Sequence, residues 1–276
     1  YNIQCRRCVI LKDYKPRIVD VVLDDKLEAK GAVLIEGPKW CGKTTTALQK
    51  AGSYIRMDDP AKREENITIS QIDSRILLQG NTPRLIDEWQ IAPKIWDAVR
   101  YEVDSRGEEG QFILTGSAVP IESDEMTHSG TGRFTWLTMR TMSLYESGES
   151  SGEGSLEHLF DAPESIFGQN DHDISSLSYI MCRGGWPHAI DMKEKAALSQ
   201  AIDYYDAVVR SDINRADGIN KNPERVKKLM RSYARHQGAQ VQNTMLRDDI
   251  IANDIDGLSV DTVVSYINAL KKIFVI

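Results

Sequence analysis

Apolar and polar positions follow two regimes along this chain. Between residues 17 and 30, Ile18, Val21, Val22, Leu23 and Leu27 recur at roughly helical spacing, which predicts a helix. Ala32 to Glu36, AVLIE, is then a short unbroken apolar run of the kind buried on both faces of a parallel sheet. Glycines follow at once, and Lys43-Thr-Thr-Thr-Ala-Leu opens a second helix. Strand-like pieces recur at Tyr54 to Met57, Arg84 to Asp87 and Gln111 to Thr115, with a helix over Lys94 to Ser105 and a further strand in FTWLTM after Arg133. Strands alternating with helices predict an α/β fold, a parallel sheet with helices on both faces.

The second regime begins after ESGESSGEGS (146–155), the only low-complexity stretch, which reads as a mobile loop or linker. Beyond it the periodicity is helical over Ala196 to Ser211, Pro223 to His236, Thr244 to Ala252 and Ser259 to Lys272. The expected organisation is an α/β domain over 1–150 and a mainly helical region over 151–276.

Composition narrows the class. With 276 residues, 27% charged and 41% hydrophobic, the chain is neither disordered nor a fibrous or disulfide-stapled scaffold. No apolar run approaches the roughly 20 residues of a membrane helix, and no basic-then-apolar leader is present, so the reading is cytoplasmic. Cys5 and Cys8 of CRRC form a single CxxC with no second pair and no well-placed His, a weak signal for metal or redox use, and with Cys41 and Cys182 they are expected as reduced thiols. The chain has no initiator Met and ends in the strand-like Lys-Ile-Phe-Val-Ile, so it is expected to be a piece of a longer protein.

Net charge is −7, unevenly spread. Thr141 to Cys182 contains no Lys or Arg, whereas Lys221, Arg225, Lys227, Lys228, Arg231 and Arg235 oppose only Glu224.

The chemistry concentrates after the first strand. Gly37, Pro38, Lys39, Trp40, Cys41, Gly42, Lys43 and Thr44 match GxxxxGK[ST], between a predicted strand and a predicted helix, and Thr45 continues into that helix. Glycines at both ends let successive N–H groups turn toward phosphate oxygens, helped by the positive end of the helix. Lys43 would reach the β- and γ-phosphates, and the Thr44 hydroxyl would coordinate Mg²⁺. Arg84-Leu-Ile-Asp87-Glu88 is an apolar strand ending in two carboxylates. Asp87 suits the Mg²⁺ shell, and Glu88 suits a base for water attacking the γ-phosphate. Phe112-Ile-Leu-Thr115 is a third buried strand; beside the Asp-Glu strand, Thr115 would hold the lytic water or contact the γ-phosphate, and otherwise it caps a turn.

These three elements resemble the AAA+ ATPases. GPKWCGKTT (37–45), MDDP (57–60), LIDEWQ (85–90), QFILTGSA (111–118), HSGTGR (128–133) and MSLYESGESSGE (142–153) are similar to one prokaryotic family of AAA-type ATPases. In that family the ATPase module is followed by a domain of unknown function with a winged-helix part, which GGWP (184–187), the helix around Asp212 and YARHQG (233–238) resemble. The resemblance implies ATP as cofactor and homo-oligomerisation. It also implies that Arg133, on a glycine-rich loop, reaches a neighbouring subunit's γ-phosphate; the local alternative is that Arg133 starts the next strand and pairs with a nearby carboxylate. His128 reads as a loop residue. Asp58 and Asp59 read as a helix-start cap, Trp40 as packing on the sheet or stacking on adenine, and Trp89, Trp96, Trp136 and Trp186 as core and interface residues.

Thr244 to Ala252, the turn Asn253 to Gly257, a helix capped by Ser259 and a β-rich end from Ile273 read as a winged helix-turn-helix, a common reader of duplex DNA. Its second helix presents Asp261, Thr262, Ser265, Tyr266 and Asn268, with only Lys271 and Lys272 basic, so a protein partner competes with DNA. Two functional readings stand: an ATP-hydrolysing enzyme that couples turnover to movement of the helical part, or an ATP-switched regulatory or DNA-binding scaffold with negligible turnover. Glu88 favours the first, because a pure switch needs no base. A guanine-reading NKxD motif is missing, since Asn220-Lys-Asn-Pro223 fails it.

Overall fold

The structure, a computed structural model, describes residues 14–116, 130–252 and 258–276. The chain divides into two compact units, the first running to Ala201 and the second spanning Ile202–Ile276. In the first, β1 (Ala32–Glu36), β2 (Ser53–Arg56), β3 (Arg84–Asp87), β4 (Phe112–Gly116) and β5 (Phe134–Thr138) form one parallel sheet in the order β2-β3-β4-β1-β5. Helices α1 (Val19–Ala29), α2 (Lys43–Lys50), α3 (Arg63–Asp73) and α4 (Ile95–Arg106) precede and connect the strands.

The unbroken apolar runs are explained by burial on both faces. Side chains alternate along each strand. Leu34, Ile86 and Leu114 therefore join Trp96 and Val99 of α4 in one core, while Val33, Ile35, Leu85 and Ile113 join Leu23 of α1 and Ala47 of α2 in the other.

Strand order positions the chemistry. Because β4 lies between β1 and β3, the register sets Ile35 opposite Thr115 and Thr115 opposite Asp87. Ligands of open parallel sheets bind at the carboxyl ends of the strands, where the strand order reverses. Here the chain leaves β1 for the far strand β2, returns through β3 and β4, and places β5 on the other side of β1.

The rest of the first unit holds α5 (Leu156–Asp161), α6 (Ile174–Arg183), α7 (Pro187–Ile190) and the start of α8 (Glu194–Ala207). The serine- and glutamate-rich stretch before α5 is a loop, as its composition predicts, but two of its carboxylates anchor it. Glu146 pairs with Arg17 at 2.9 Å and Glu149 with Arg183 at 2.6 Å, and both arginine side chains are only 4% exposed.

The second unit is helical: a π-turn over Val208–Asp212, α9 (Ile213–Arg215), α10 (Pro223–Arg235), α11 (Asn243–Ala252) and α12 (Val260–Lys272). Side chains of Asn222 and Ser259 accept backbone N–H groups at the starts of α10 and α12, the usual relief for unpaired first-turn donors. Val226, Leu229, Leu246, Ile250, Val263 and Leu270 are among the residues of its own core.

The β-rich end expected from Ile273 does not form. Val275 N donates to Leu270 O and Phe274 N to Lys271 O, with Phe274 at φ 60°, a left-handed helix end. Ile273, Val275 and Ile276 then pack on the helical core, which accounts for their apolar character without a strand. Among the described residues this unit therefore shows helices without a wing, and the turn Asn253 to Gly257 lies outside them. No helix among the described residues is long and apolar enough to cross a membrane.

Candidate active site

The loop between β1 and α2 is shaped by backbone that only certain residues tolerate. Gly37 has φ 148°, and a Cβ there would sit 2.1 Å from the Met139 carbonyl oxygen. Gly42 is left-handed at φ 103°, at the N-cap of α2. Trp40, between them, takes φ 64° and stays 52% exposed. Lys43 curls back over the loop, donating to Gly37 O at 2.9 Å and Pro38 O at 2.8 Å. Burial holds its ammonium below the ordinary lysine value. Burial also pushes the Cys41 thiol up, so it is a packed side chain, not a thiolate.

Asp87 gathers the second half of the site. Thr44 Oγ1 donates to Asp87 Oδ1 at 2.7 Å, and Thr115 Oγ1 donates to the same oxygen at 2.5 Å. The Arg56 guanidinium, at the end of β2, lies 4.0 Å from Asp87 Oδ2. Next along the chain, Glu88 adopts φ 55°, ψ 44°, a left-handed conformation costing roughly 1–3 kcal/mol in a non-glycine residue, of the kind that clusters at functional sites. Burial raises the Glu88 carboxyl above its ordinary value, the Gln90 amide that donates to Oε2 opposes this, and the Asp87 charge adds to it. Gln90 Oε1 is buried without a hydrogen-bond partner.

Hard oxygens from Thr44 and Asp87, already adjacent, fit Mg²⁺, which takes few protein ligands and completes its shell with phosphate and water. Among the described residues no group of three or more His, Cys, Asp or Glu could hold a metal without such help.

Residues 29–148 match the family model described as an AAA domain, and residues 174–276 match one described as a domain of unknown function (DUF8612). The chain carries an AAA domain. Among solved structures it is similar to a Walker-type ATPase of Pyrococcus abyssi, at 14% identity, covering 96% of this chain and 91% of that one, with a TM-score of 0.56. It is also similar to AMPPCP-bound DnaA from Aquifex aeolicus, at 13% identity, covering 92% of this chain and 86% of that one, with a TM-score of 0.40. The first likeness shows the fold, that of a P-loop nucleoside triphosphatase. No curated protein matches the chain.

The AAA domain does not enclose its cavity unaided. A cavity of about 1020 Å³ lined by Lys43, Thr44 and Glu88 is completed by Tyr14 before the domain and Trp186 and Pro187 after it. Its size exceeds the common small-ligand range of roughly 300–1,000 Å³. Arg17, also on its wall, donates Nη1 to Cys41 O at 2.8 Å, Nη2 to Arg140 O at 2.9 Å and Nε to Glu146. One guanidinium thus holds the phosphate loop, the exit of β5 and the acidic loop together. Gly185 presses on the same place, since a Cβ there would meet Met142 O at 2.1 Å.

Sequence reasoning missed Tyr14, Arg17, Arg56, Gln90 and the wall built by GGWP. Trp186 was expected in a core or interface, and it lines the cavity instead. Only the resemblance of GGWP to a family motif pointed there. Arg17 and Glu146 lie 129 positions apart, so no local pattern joins them.

Arg133 is not brought to this site. Its carbonyl accepts from Ala32 N at the start of β1, which puts it at the amino edge of the sheet, opposite the phosphate loop. There its guanidinium pairs with Asp104 at 2.7 Å, the local arrangement. Asp59 Oδ1 accepts from Ala61 N in the turn before α3, whose own start at Lys62 has no side-chain cap, so the helix-start cap read for Asp58 and Asp59 is not formed. Trp89 and Trp96 are core residues, whereas Trp136 is 45% exposed.

Two residues read as surface chemistry in the helical region are interior. Lys221, counted in the basic cluster, is 1% exposed and paired to both oxygens of Asp217. Tyr266, placed on a recognition helix, is buried with its hydroxyl accepting from Asn222 N. Both are held there by the packing of α12 against its own unit. Cys5, Cys8 and His128 lie outside the described residues.

Proposed function

We propose that the protein binds ATP with Mg²⁺ and hydrolyses it to ADP and phosphate. The observation that carries this reading is the convergence of Lys43, Thr44, Asp87 and Thr115 at one sheet edge, with Glu88 following on β3. Backbone N–H groups from Gly37 to Gly42, with Pro38, Lys39, Trp40 and Cys41 between them, would cradle the phosphates at the start of α2, where Thr45 continues the helix. Lys43 would leave the Gly37 and Pro38 carbonyls for the β- and γ-phosphates. Thr44 and Asp87 would hold the cation, which supplies charge neutralisation on the phosphate oxygens.

Glu88 then accepts a proton from the attacking water as its oxygen bonds the γ-phosphorus and the bond to the β–γ bridging oxygen breaks. A carboxyl raised by burial suits that task, because an efficient base has a value closer to the working pH. Thr115, fixed on Asp87, is placed to orient the water or a γ-oxygen. Arg133 has no part in chemistry within one chain. Arg17 supports a coupling to conformation, since it grips the loop at Cys41 O and the acidic loop at Glu146.

The test is phosphate release from MgATP, with ATP binding followed separately. Glu88→Gln is expected to keep ATP and to lose turnover by about 10²–10⁴-fold, while Lys43→Ala loses ATP binding. Unimpaired turnover in Glu88→Gln removes Glu88 as the base. Unchanged ATP affinity in Lys43→Ala removes the phosphate loop itself.

A further inference from the structure

A loop cradles a phosphate with its N–H groups only while its peptide planes keep one orientation, because a trans peptide points its carbonyl and its N–H in opposite directions. One such peptide, between Cys41 and Gly42, is held from outside the loop. Its carbonyl, Cys41 O, accepts from Arg17 Nη1 at 2.8 Å in a buried bond. On its other side the peptide enters α2, since Gly42 O accepts from Thr46 N at 2.9 Å. The N–H groups of a helix start converge on its positive end. Holding Cys41 O on the guanidinium therefore turns the Gly42 N–H the other way, toward that end. The contact is close: a Cβ on Gly42 would lie 3.4 Å from Arg17 Nη1.

The guanidinium that makes this contact is itself fixed on its remaining sides. Nη2 donates to Arg140 O at 2.9 Å and Nε to Glu146 Oε1 at 2.9 Å, and the Arg17 and Glu146 side chains are 4% and 6% exposed. Glu146 is held in turn by the N–H groups of Ile18 and Ser143, each at 2.8 Å. The Arg17 backbone is tied as well, its N–H donating to Asp20 Oδ2 at 2.8 Å. Tyr14 Oη donates to the other Asp20 oxygen at 2.6 Å and lies 3.0 Å from Thr46 Oγ1 on α2. The segment before α1 is thus fastened to the phosphate loop and its helix at two points, Cys41 O and Thr46.

We infer that Arg17 is the positioning residue of the phosphate cradle: it pins the Cys41–Gly42 peptide so that the Gly42 N–H faces the phosphates before a nucleotide arrives. The inference rests on the reading of this loop as the ATP phosphate site and adds the residue that sets its shape. Arginine suits the task because its planar fork holds several acceptors in fixed directions, which the single flexible ammonium of a lysine does not. Residues that orient a binding group from behind are worth about 10–100-fold in affinity.

The experiment compares wild type, Arg17→Lys and Arg183→Lys in thermal stability and in affinity for MgATP and for magnesium tripolyphosphate, which has the phosphates without the nucleoside. Arg17→Ala strands the Glu146 carboxylate and can fail to fold, so the test uses the lysine variant, which keeps a charge for Glu146 and loses the fork. Arg183→Lys is the matched control: its guanidinium is equally buried and donates to Glu149 of the same acidic loop and to Gly184 O. Both variants should lose stability. Arg17→Lys alone should lose affinity, by about 10–100-fold and by the same factor for the two ligands. Affinity of Arg17→Lys within about threefold of wild type overturns the inference, as does an equal loss in Arg183→Lys. A loss for MgATP with tripolyphosphate unchanged overturns it too, because Arg17 then serves the nucleoside. Failure of the hydrolase reading shows separately, as wild type that binds both ligands and releases no phosphate, and the affinities still decide the role of Arg17. Wild type that binds neither ligand removes the cradle and the inference with it.

Discussion

Thr115 shows how much one hydroxyl can organise. It is fully buried, and its proton goes to the same Asp87 oxygen that Thr44 uses. Thr115→Val keeps the shape and removes that donor, leaving Asp87 with Thr44 as a remaining partner. The expected loss of stability is about 1–3 kcal/mol, and turnover should fall further than ATP affinity. Equal losses in both would make Thr115 a structural residue only. At this scale the sequence was informative wherever chemistry is local. Gly37, Gly42, Lys43 and Thr44 are readable because a phosphate-binding turn fixes their spacing, and Asp87 and Glu88 because an apolar strand ends on them. Gln90 and Arg56 were not readable. Their relevance comes from facing Glu88 and Asp87, a property of the sheet register and of the turn after β3.

The acidic loop after β5 behaves as an element although it has no regular secondary structure. Burial would raise the Glu146 carboxyl, but N–H groups of Ser143 and Ile18 and the Arg17 guanidinium outweigh it and hold the carboxyl below its ordinary value. The sign of the pH effect follows. An unfolded chain takes up this proton near the ordinary value of about 4.3, whereas the folded chain takes it up only at lower pH. The stability from Glu146 is therefore present above about pH 4.3 and drains away as the pH falls toward the folded value. Arg17→Ala, which strands a nearly buried carboxylate, should cost about 3–5 kcal/mol. Glu146→Gln should be less stable than wild type at neutral pH, with the gap narrowing under acid, as read from denaturant melts at both pH values. A gap that does not change with pH would deny the ion pair its role. Serine, glycine and glutamate in this stretch correctly predicted a loop. Composition carries no information on which glutamates meet an arginine far away, so its anchoring was hidden. The strands of the sheet were legible for the opposite reason, since burial on both faces leaves unbroken apolar runs. Ile273 to Ile276 mimicked such a run, because helical cores demand the same residues.

At the scale of the molecule, the sheet unit carries two apolar cores, one on each face of the sheet, and the helical unit carries one of its own. The change from strand-and-helix alternation to helical periodicity suggested a boundary at 150/151, whereas the compact units divide after Ala201, because helical periodicity alone does not say which core a helix packs on. Separate cores imply separate cooperative transitions, and ligand binding can then raise only the unit that holds the ligand. MgATP should lift the transition of the sheet unit and leave that of the helical unit where it was. Leu270, 0% exposed in the helical core, supplies the converse probe. Leu270→Ala removes buried methyl groups and leaves a cavity, at a cost of about 2–5 kcal/mol. That loss should appear in the helical transition alone, with ATP affinity unchanged, when unfolding is followed by calorimetry with and without nucleotide. A single transition that Leu270→Ala lowers, together with weakened ATP binding, would mean that the two cores fold as one.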